Sequence, residues 1–405
     1  MELPIVGFPA YVEEFSESFS HLFKQERQFI QFKRLMTAYG MADKHTIAHM
    51  NGLFTDHTNQ SNLNRFITKS DWDQFEMNRT KIEIINEVEN DGIVILDDYI
   101  VEKYGKEMFG TDWHRDHVKN KNVWGQQIAD CLYSGNGIYP LLSTVYVKKK
   151  SRWIKDDFKT KIQIQMDHLA ELTQMNLHFS LVLGDIWYFS KYLTQYIEGL
   201  GKDWIFQCKS NRLVKSGRKW MPLSKYAEKM LGKMNFRVIF IGDDKYLMKA
   251  FTVRLKGMGV VRLQITLNKH NNFHFYISNR LDWKEVKIAT LYAKRWDIEV
   301  WHRDGKGNYG LKECQLRTDE AVSKYLTLSL LAATLLEIAS LLSPVYAKLT
   351  KRGRTPEMKH RWVLTELVGK LISATARIGD DIVKNVMEGI LTPYQSTMRN
   401  RVIAR

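Results

Sequence analysis

Cysteine is scarce in this chain. Of 405 residues three are cysteine, Cys131, Cys208 and Cys314, lying far apart and outside any Cys-x-x-Cys or Cys/His ligand spacing. That excludes a zinc-finger framework and fits a protein kept reduced. Proline is scarce too, seven in all, and no tract rich in Pro, Gly or Ser marks a flexible linker. Neither a glycine-rich phosphate loop of the GxxxxGKS/T form nor an HExxH occurs. ATP-driven motors and zinc proteases lose ground, and no nucleotide cofactor is expected. The opening "MELPIVGFPAYVEEFSESF" lacks the basic-then-apolar layout of a signal peptide, so a cytoplasmic location is expected. Long apolar runs are absent but for "YLTLSLLAATLLEIASLLSPVY" (325–346). Glu337, Pro344 and several Ser/Thr residues interrupt it, which favours a buried core helix over a membrane span.

What is present is positive charge. Sixty Lys and Arg against 45 Asp and Glu leave +15, an excess that calls for a polyanionic partner, most simply nucleic acid, with a membrane surface as the other choice. Hydrophobic residues at 44% are enough for packed cores, and the length allows two or three domains or one large domain with an insertion.

Residues 1–90 read as helical. Leu22, Phe29, Phe32 and Met36 form a helical stripe with Gly40 as its stop. "DKHTIAHMNGLF" and "NQSNLNRFITKSDWD" are two short amphipathic pieces around a polar turn, equally a helix-turn-helix DNA reader and part of an ordinary helical bundle. Strands follow. "DGIVILDD" (91–98) is a continuous apolar run suited to a central strand ending on Asp97. "VWGQQIADCLY" and "GIYPLLSTVYVK" are strands joined by Gly-Asn-Gly. "DDFKTKIQIQMDHLAELTQ" reads as a helix and "HFSLVLGD" as a strand ending on Asp185. From about 200 to 275 strand follows strand, a helix begins near Trp283, and 331–405 is basic and mostly helical.

Two carboxylates therefore close apolar strands, and a third, Glu299, stands on the later helix. A single Asp at a strand end is as easily a turn residue as a functional one. Three acids on three elements are harder to dismiss. Clustered carboxylates repel one another unless cations neutralise them. Mg²⁺ or Mn²⁺ suits such oxygen donors, and two ions roughly 3.5–4 Å apart support in-line phosphodiester displacement. The helix "YAKRWDIEVWHRDGK" (292–306) supplies matching cations. At helical spacing Tyr292, Arg295, Glu299, His302 and Lys306 share one face, where an apolar seam is normal.

The spacing Y-x2-R-x3-E-x6-K over Tyr292, Arg295, Glu299 and Lys306 resembles the Y-R-E-K signature of prokaryotic DDE-type insertion-sequence transposases. "GDIWYFS" resembles that class's second-Asp motif and "ILDD" its first-Asp strand. "RWDIEVWHRDGKGNYGLKECQLR" resembles the stretch around its Glu, and "NLNRFITKSDWD" the N-terminal helical region of one branch. The likeness runs from about residue 45 to 340. It implies an α/β protein with an RNase H-like catalytic core interrupted by a β-rich insertion. Helical N-terminal (1–90) and C-terminal (331–405) regions flank that domain (91–330, with the insertion at about 200–275). It implies Asp97, Asp185 and Glu299 as catalytic metal ligands, with Asp98 the alternative to Asp97. Tyr292, Arg295 and Lys306 become DNA contacts, although Gly305 and Gly307 weaken a helix and put Lys306 on a loop. The implied partners are double-stranded DNA, as element ends and target, and further copies of the chain in the DNA complex. The cofactor is Mg²⁺ or Mn²⁺, as two ions, and the location is the cytoplasm at the nucleoid.

Other residues carry weaker signals. Trp187 and Trp296 flank the acids and can stack on an unpaired base, but core packing is the commoner role of such rings. "KSNRLVKSGRKW" (209–220), with Lys209 and Arg212, reads equally as a DNA-backbone patch and a solvated hairpin tip. "KKKSRWIK" (148–155) is similar and less informative. His302, on the same helix face, is more simply structural. The expected activity is end binding, metal-dependent cleavage and joining of the 3′-OH ends to target DNA. The alternatives are an inactive DNA-binding descendant and a nuclease without strand transfer.

Overall fold

A computed structural model describes residues 4–57, 59–117, 119–154, 158–241, 244–343 and 355–376. The expected basic tail lies largely outside these residues, as does the end of the apolar segment at Pro344–Tyr346. The chain opens with α1 (Ala10–Ser16), a 3₁₀ turn (Glu17–Leu22), α2 (Glu26–Tyr39), α3 (Ile47–Gly52), α4 (Gln60–Thr68) and α5 (Gln74–Val88). Then come β1 (Ile93–Glu102), β2 (Asp112–Asp116), β3 (Lys121–Ser134), β4 (Ile138–Tyr146), α6 (Lys161–Gln174), β5 (Leu181–Gly184), α7 (Lys191–Gly199) and β6 (Asp203–Cys208). The β-rich stretch holds β7 (Leu213–Ser216), β8 (Lys219–Pro222), α8 (Leu223–Leu231), β9 (Arg237–Ile241), β10 (Asp244–Leu255), β11 (Gly259–Leu267) and β12 (Phe273–Ser278). Helices α9 (Glu285–Ala293), α10 (Trp296–Asn308), α11 (Asp319–Leu342) and α12 (Pro356–Ala376) finish it. This is a mixed α/β fold, with a large mixed sheet and helices toward both ends of the chain.

Two compact units divide the described residues: one from 1–84, 101–126 and 302 onward, the other from 85–100 and 127–301. The first is built on α11, which packs against α1, α2 and α4. It is long and apolar enough to cross a membrane by composition, yet 83% of its apolar window is buried. The core-helix expectation therefore holds for Tyr325–Leu342. Glu337, which breaks the apolar run, is paired with Lys359 of α12, so its buried charge has a partner. In α2, Phe32 and Met36 are fully buried and Gly40 caps the end, as the stripe predicts. Leu22 is not part of that helix; it ends the 3₁₀ turn, and Phe23 joins the cluster instead, 5.1 Å from the Phe32 ring and 5.7 Å from Phe66.

In the second unit the strands run β4-β3-β1-β5-β6-β12-β11-β10, with β7 and β9 on β10 and β8 on β7. β1, β5 and β6 are parallel, with Ile93 opposite Leu181 and Leu96 opposite Gly184. Val94, Ile95, Leu96, Val182, Leu183, Ile205 and Phe206 are fully buried, which is why these runs are apolar without alternation. β3 and β4 form the expected hairpin, and Glu89 accepts from the Gly137 amide and the Tyr139 hydroxyl at its turn. The β-rich stretch extends the sheet through antiparallel pairs, with α8, which the sequence reading had not anticipated.

Two elements differ from expectation. β1 does not stop at Asp97 but continues to Glu102. Tyr99, Ile100 and Val101 are strand-favouring residues, and Tyr99 and Val101 are buried in alternation. The helix of residues 292–306 is broken at Lys294–Arg295 into α9 and α10. There the amides of Lys294, Arg295 and Asp297 each bond the carbonyl three residues back, the tighter winding of a 3₁₀ turn.

Candidate active site

Leu96 and Gly184 are partners on adjacent parallel strands, so the next residue on each chain is an acid: Asp97 and Asp185. The carboxyl ends of neighbouring parallel strands are where open α/β sheets gather functional groups. Gly184 is required for this approach, because a Cβ there would run into the Phe206 ring.

The helical break delivers the third acid. Arg295, at the turn, reaches Asp97 Oδ2 at 3.4 Å and Glu299 Oε1 at 3.2 Å, so one guanidinium joins a strand acid to the helix acid. The α10 seam facing the sheet is apolar after all, with Ile298 and Trp301 buried. Glu299 stands to one side of it, its side chain 42% exposed. Helix α10 is pinned to β3 by Ser134 Oγ donating to Asp297 Oδ2 at 2.5 Å and Trp301 Nε1 donating to Asp130 Oδ2 at 2.9 Å.

Asp185 accepts from the amides of Trp187 and Tyr188 at 2.8 and 3.3 Å, closing the turn after β5. Burial above all, and then Asp98, raise its pKa above the ordinary carboxylate value, against the lowering pull of those amides and of Arg295. Tyr292 donates to the Gly184 carbonyl at 3.2 Å, and burial pushes its pKa up, so the phenol keeps its proton. Its ring lies 4.6 Å from that of Tyr276 on β12.

Asp98 has different surroundings. Its Oδ1 takes Lys161 Nζ at 2.7 Å and the Tyr188 hydroxyl at 2.8 Å, and its Oδ2 takes Gln127 Nε2 at 2.5 Å. Consecutive strand residues point to opposite faces, and here one acid meets Arg295 while the next meets α6 and β3. Of the two, Asp97 shares a cation with Glu299. Lys161, Tyr188 and Gln127 escaped the sequence reading, although Tyr188 stands in the aromatic pair of "GDIWYFS".

Both tryptophans contradict the core-packing expectation. Trp187 is 56% and Trp296 64% exposed; Trp187 lies in the turn after β5, and Trp296 is the first residue of α10. Lys209 Nζ lies 4.6 Å above the Trp187 ring. Arg212 donates to the Phe189 carbonyl at 3.1 Å. The basic turn between β6 and β7 is thereby held to the loop that carries Asp185, while Lys215, Arg218 and Lys219 are exposed on the β7–β8 hairpin. Lys306 is helical, not in a loop: α10 runs through Gly305 and Gly307 to Asn308. Lys306 and the buried His302 belong to the other unit. Of "KKKSRWIK", Lys155 lies outside the described residues.

Among the described residues no group of three or more His, Cys, Asp or Glu side chains is gathered closely enough to hold a metal ion. The donor chemistry of Asp97, Asp185 and Glu299 nevertheless fits a hard divalent ion, being carboxylate oxygen throughout. Burial, the main cause of the raised Asp185 pKa, disfavours its charged form, which a bound cation would favour. Arg295 is the cation the structure sets among them.

Residues 161–335 match the family model described as "Transposase DDE domain". A curated relative, the "Probable transposase for insertion sequence element IS701" of Microchaete diplosiphon, is 27% identical over 333 residues, covering 76% of this chain and 82% of the relative. Both similarities are to transposases of the DDE or insertion-sequence kind. The segment that matches the family model begins at α6 and takes in Asp185 and Glu299, while Asp97 lies ahead of it on β1. Among solved structures, the "Drosophila P element transposase strand transfer complex" aligns over 92% of this chain and 85% of that one. At 9% identity and a TM-score of 0.20 it carries no argument about the fold.

Proposed function

We propose that this chain is the transposase of a DNA insertion element. It binds the element's two ends, cuts them by metal-dependent phosphodiester hydrolysis, and joins the freed 3′-OH ends to target DNA. The observation that carries the reading is the meeting of Asp97 and Glu299 on Arg295, with Asp185 at the end of the adjoining parallel strand. Each step is the same phosphoryl transfer, so one carboxylate site serves them all. Asp97, Asp185 and Glu299 would hold Mg²⁺ or Mn²⁺, as two ions, which in this chemistry supply an activated water and stabilise the leaving oxygen.

The chain's own residues do the rest. Arg295 neutralises Asp97 and Glu299 and holds backbone phosphate, and Lys306 is a further DNA contact. Tyr292 fixes the end of β5 through the Gly184 carbonyl and borders the DNA path. Trp187 and Trp296 offer exposed faces to an unpaired base, and Lys209 and Arg212 contact the backbone beside them. The order β4-β3-β1-β5-β6 supports an RNase H-like core, with residues from about 200 to 275 as its insertion and the flanking helical regions 1–90 and 331–405 as separate parts. Joining two ends requires more than one copy of the chain in the complex, acting in the cytoplasm on nucleoid DNA.

The test is to incubate the full chain, with Mg²⁺ or Mn²⁺, with a plasmid carrying its gene and flanking sequence, beside Glu299→Gln. Metal-dependent breaks at two fixed positions, lost in the variant while DNA binding persists, are expected. Scattered nicking would favour a nuclease without strand transfer. Binding without breaks under either metal would favour an inactive DNA-binding descendant.

A further inference from the structure

The helical unit holds a second concentration of charge. Between α2 and α4 lies a cavity of about 530 Å³, open to solvent, whose wall carries Arg27, Arg34 and Arg65 against one acid, Asp56. Arg34 is the informative residue. Its side chain is only 3% exposed, and Nη2 reaches Asp56 Oδ2 at 2.8 Å and the Asp56 carbonyl at 2.9 Å. Its Nε and Nη1 are buried without a hydrogen-bond partner. Asp56 itself is 77% exposed, so water screens much of the neutralisation it offers. A buried guanidinium with donors unmet is a group short of negative charge.

Two further features point the same way. The first turn of α2 borders the cavity through Arg27 and Gln28, and its N-cap, Gln25, makes no side-chain cap bond. The positive end of a 14-residue helix is thus directed at the same space. Gln31 lines the wall with its Oε1 atom buried and unpartnered; turned over, its amide presents N–H donors instead. Arg27 and Arg65 are exposed at the rim, where they can meet an extended polyanion as well as a small anion.

We propose that this cavity is a phosphate site and that the phosphate it takes is a backbone phosphodiester of DNA. The N-terminal helices would then grip the DNA at a place far in sequence from the acids. The inference rests on the transposase reading and names one of the surfaces that reading needs. Rim exposure and the +15 charge of the chain favour DNA over free phosphate as the source.

The test uses the full chain and Arg27→Gln/Arg65→Gln, which alters only exposed side chains and keeps buried Arg34 as it is. Two quantities are read: melting temperature in inorganic phosphate against chloride at equal ionic strength, and affinity for a short DNA duplex across a salt series. Phosphate should raise the melting temperature of the wild-type chain and not of the double variant. The variant's DNA affinity should fall less steeply with salt, its log–log slope shallower by about 1.8, from two lost phosphate contacts at ~0.9 each. A phosphate response in the wild type with an unchanged DNA slope would assign the site to free phosphate and overturn the DNA assignment. No phosphate response, whatever the slope, would overturn the site. The Glu299→Gln cleavage assay judges the transposase reading separately, since Glu299-dependent breaks with no phosphate response sink this cavity alone.

Discussion

Asp97 and Asp98 are chemically identical neighbours, and the pleat of one strand gives them opposite tasks. Asp97 shares Arg295 with Glu299, whereas Asp98 takes three donors from α6, β3 and the Asp185 loop. Asp97→Asn should therefore abolish cleavage with little change in the urea midpoint. Asp98→Ala should leave Lys161, Tyr188 and Gln127 without their acceptor and cost about 1–3 kcal/mol in urea melts. Equal destabilisation by both substitutions would contradict this division. Acidity adds a second expectation. Because burial raises the Asp185 pKa, this carboxylate takes up a proton on acidification before an ordinary aspartate does. At subsaturating metal, where the proton competes with the ion for this carboxylate, cleavage should then rise with pH through a range above that of a free carboxylate, read from a pH–rate profile. The three acids, Arg295 and Tyr292 were legible because each lies in a short motif. Lys161 and Gln127 were not, since nothing local announces that they close on an acid many residues away.

At the level of elements, the apolar runs of β1, β5 and β6 and the helix α6 were readable, because burial on both faces and capping leave strong local patterns. Thr160 and Gln163 form a capping box at the start of α6. The overrun of β1 was hidden because an acid pair looks like a strand end. The break between α9 and α10 was hidden because its residues are ordinary helix formers; tertiary bonds from Tyr292 to Gly184 and from Arg295 to Asp97 compete with a straight helix. Gly184 joins these elements, since β5 can pass beside Phe206 only without a side chain there. Gly184→Ala should destabilise the protein by about 1–3 kcal/mol through overpacking. It should also depress cleavage more than DNA binding, because the shift falls on the residue before Asp185. A urea melt paired with a gel-shift assay separates the two effects.

On the scale of the whole molecule, charge and length foretold a basic, multi-part protein. The pairing of β6 with β12 was beyond local reading, since the β-rich stretch from β7 to β11 separates those strands in the sequence. Each unit also buries a histidine in neutral form. Burial pushes His168 in one and His360 in the other down to about 4 from an ordinary 6.5. Between those values the unfolded chain binds protons that the folded chain refuses, so stability is complete above about pH 6.5 and declines as pH falls toward 4. Urea midpoints should fall from pH 7 to pH 5, and His168→Gln should flatten that dependence. The three cysteines, all buried, have a practical consequence. Burial pushes Cys208 up to about 12 and raises Cys314, so neither is the reactive thiolate at neutral pH while the protein stays closed. Cys131 and Cys208 lie in one unit and Cys314 in the other. Pulsed alkylation followed by peptide mapping therefore turns them into clocks, each timing how often its own half of the molecule breathes.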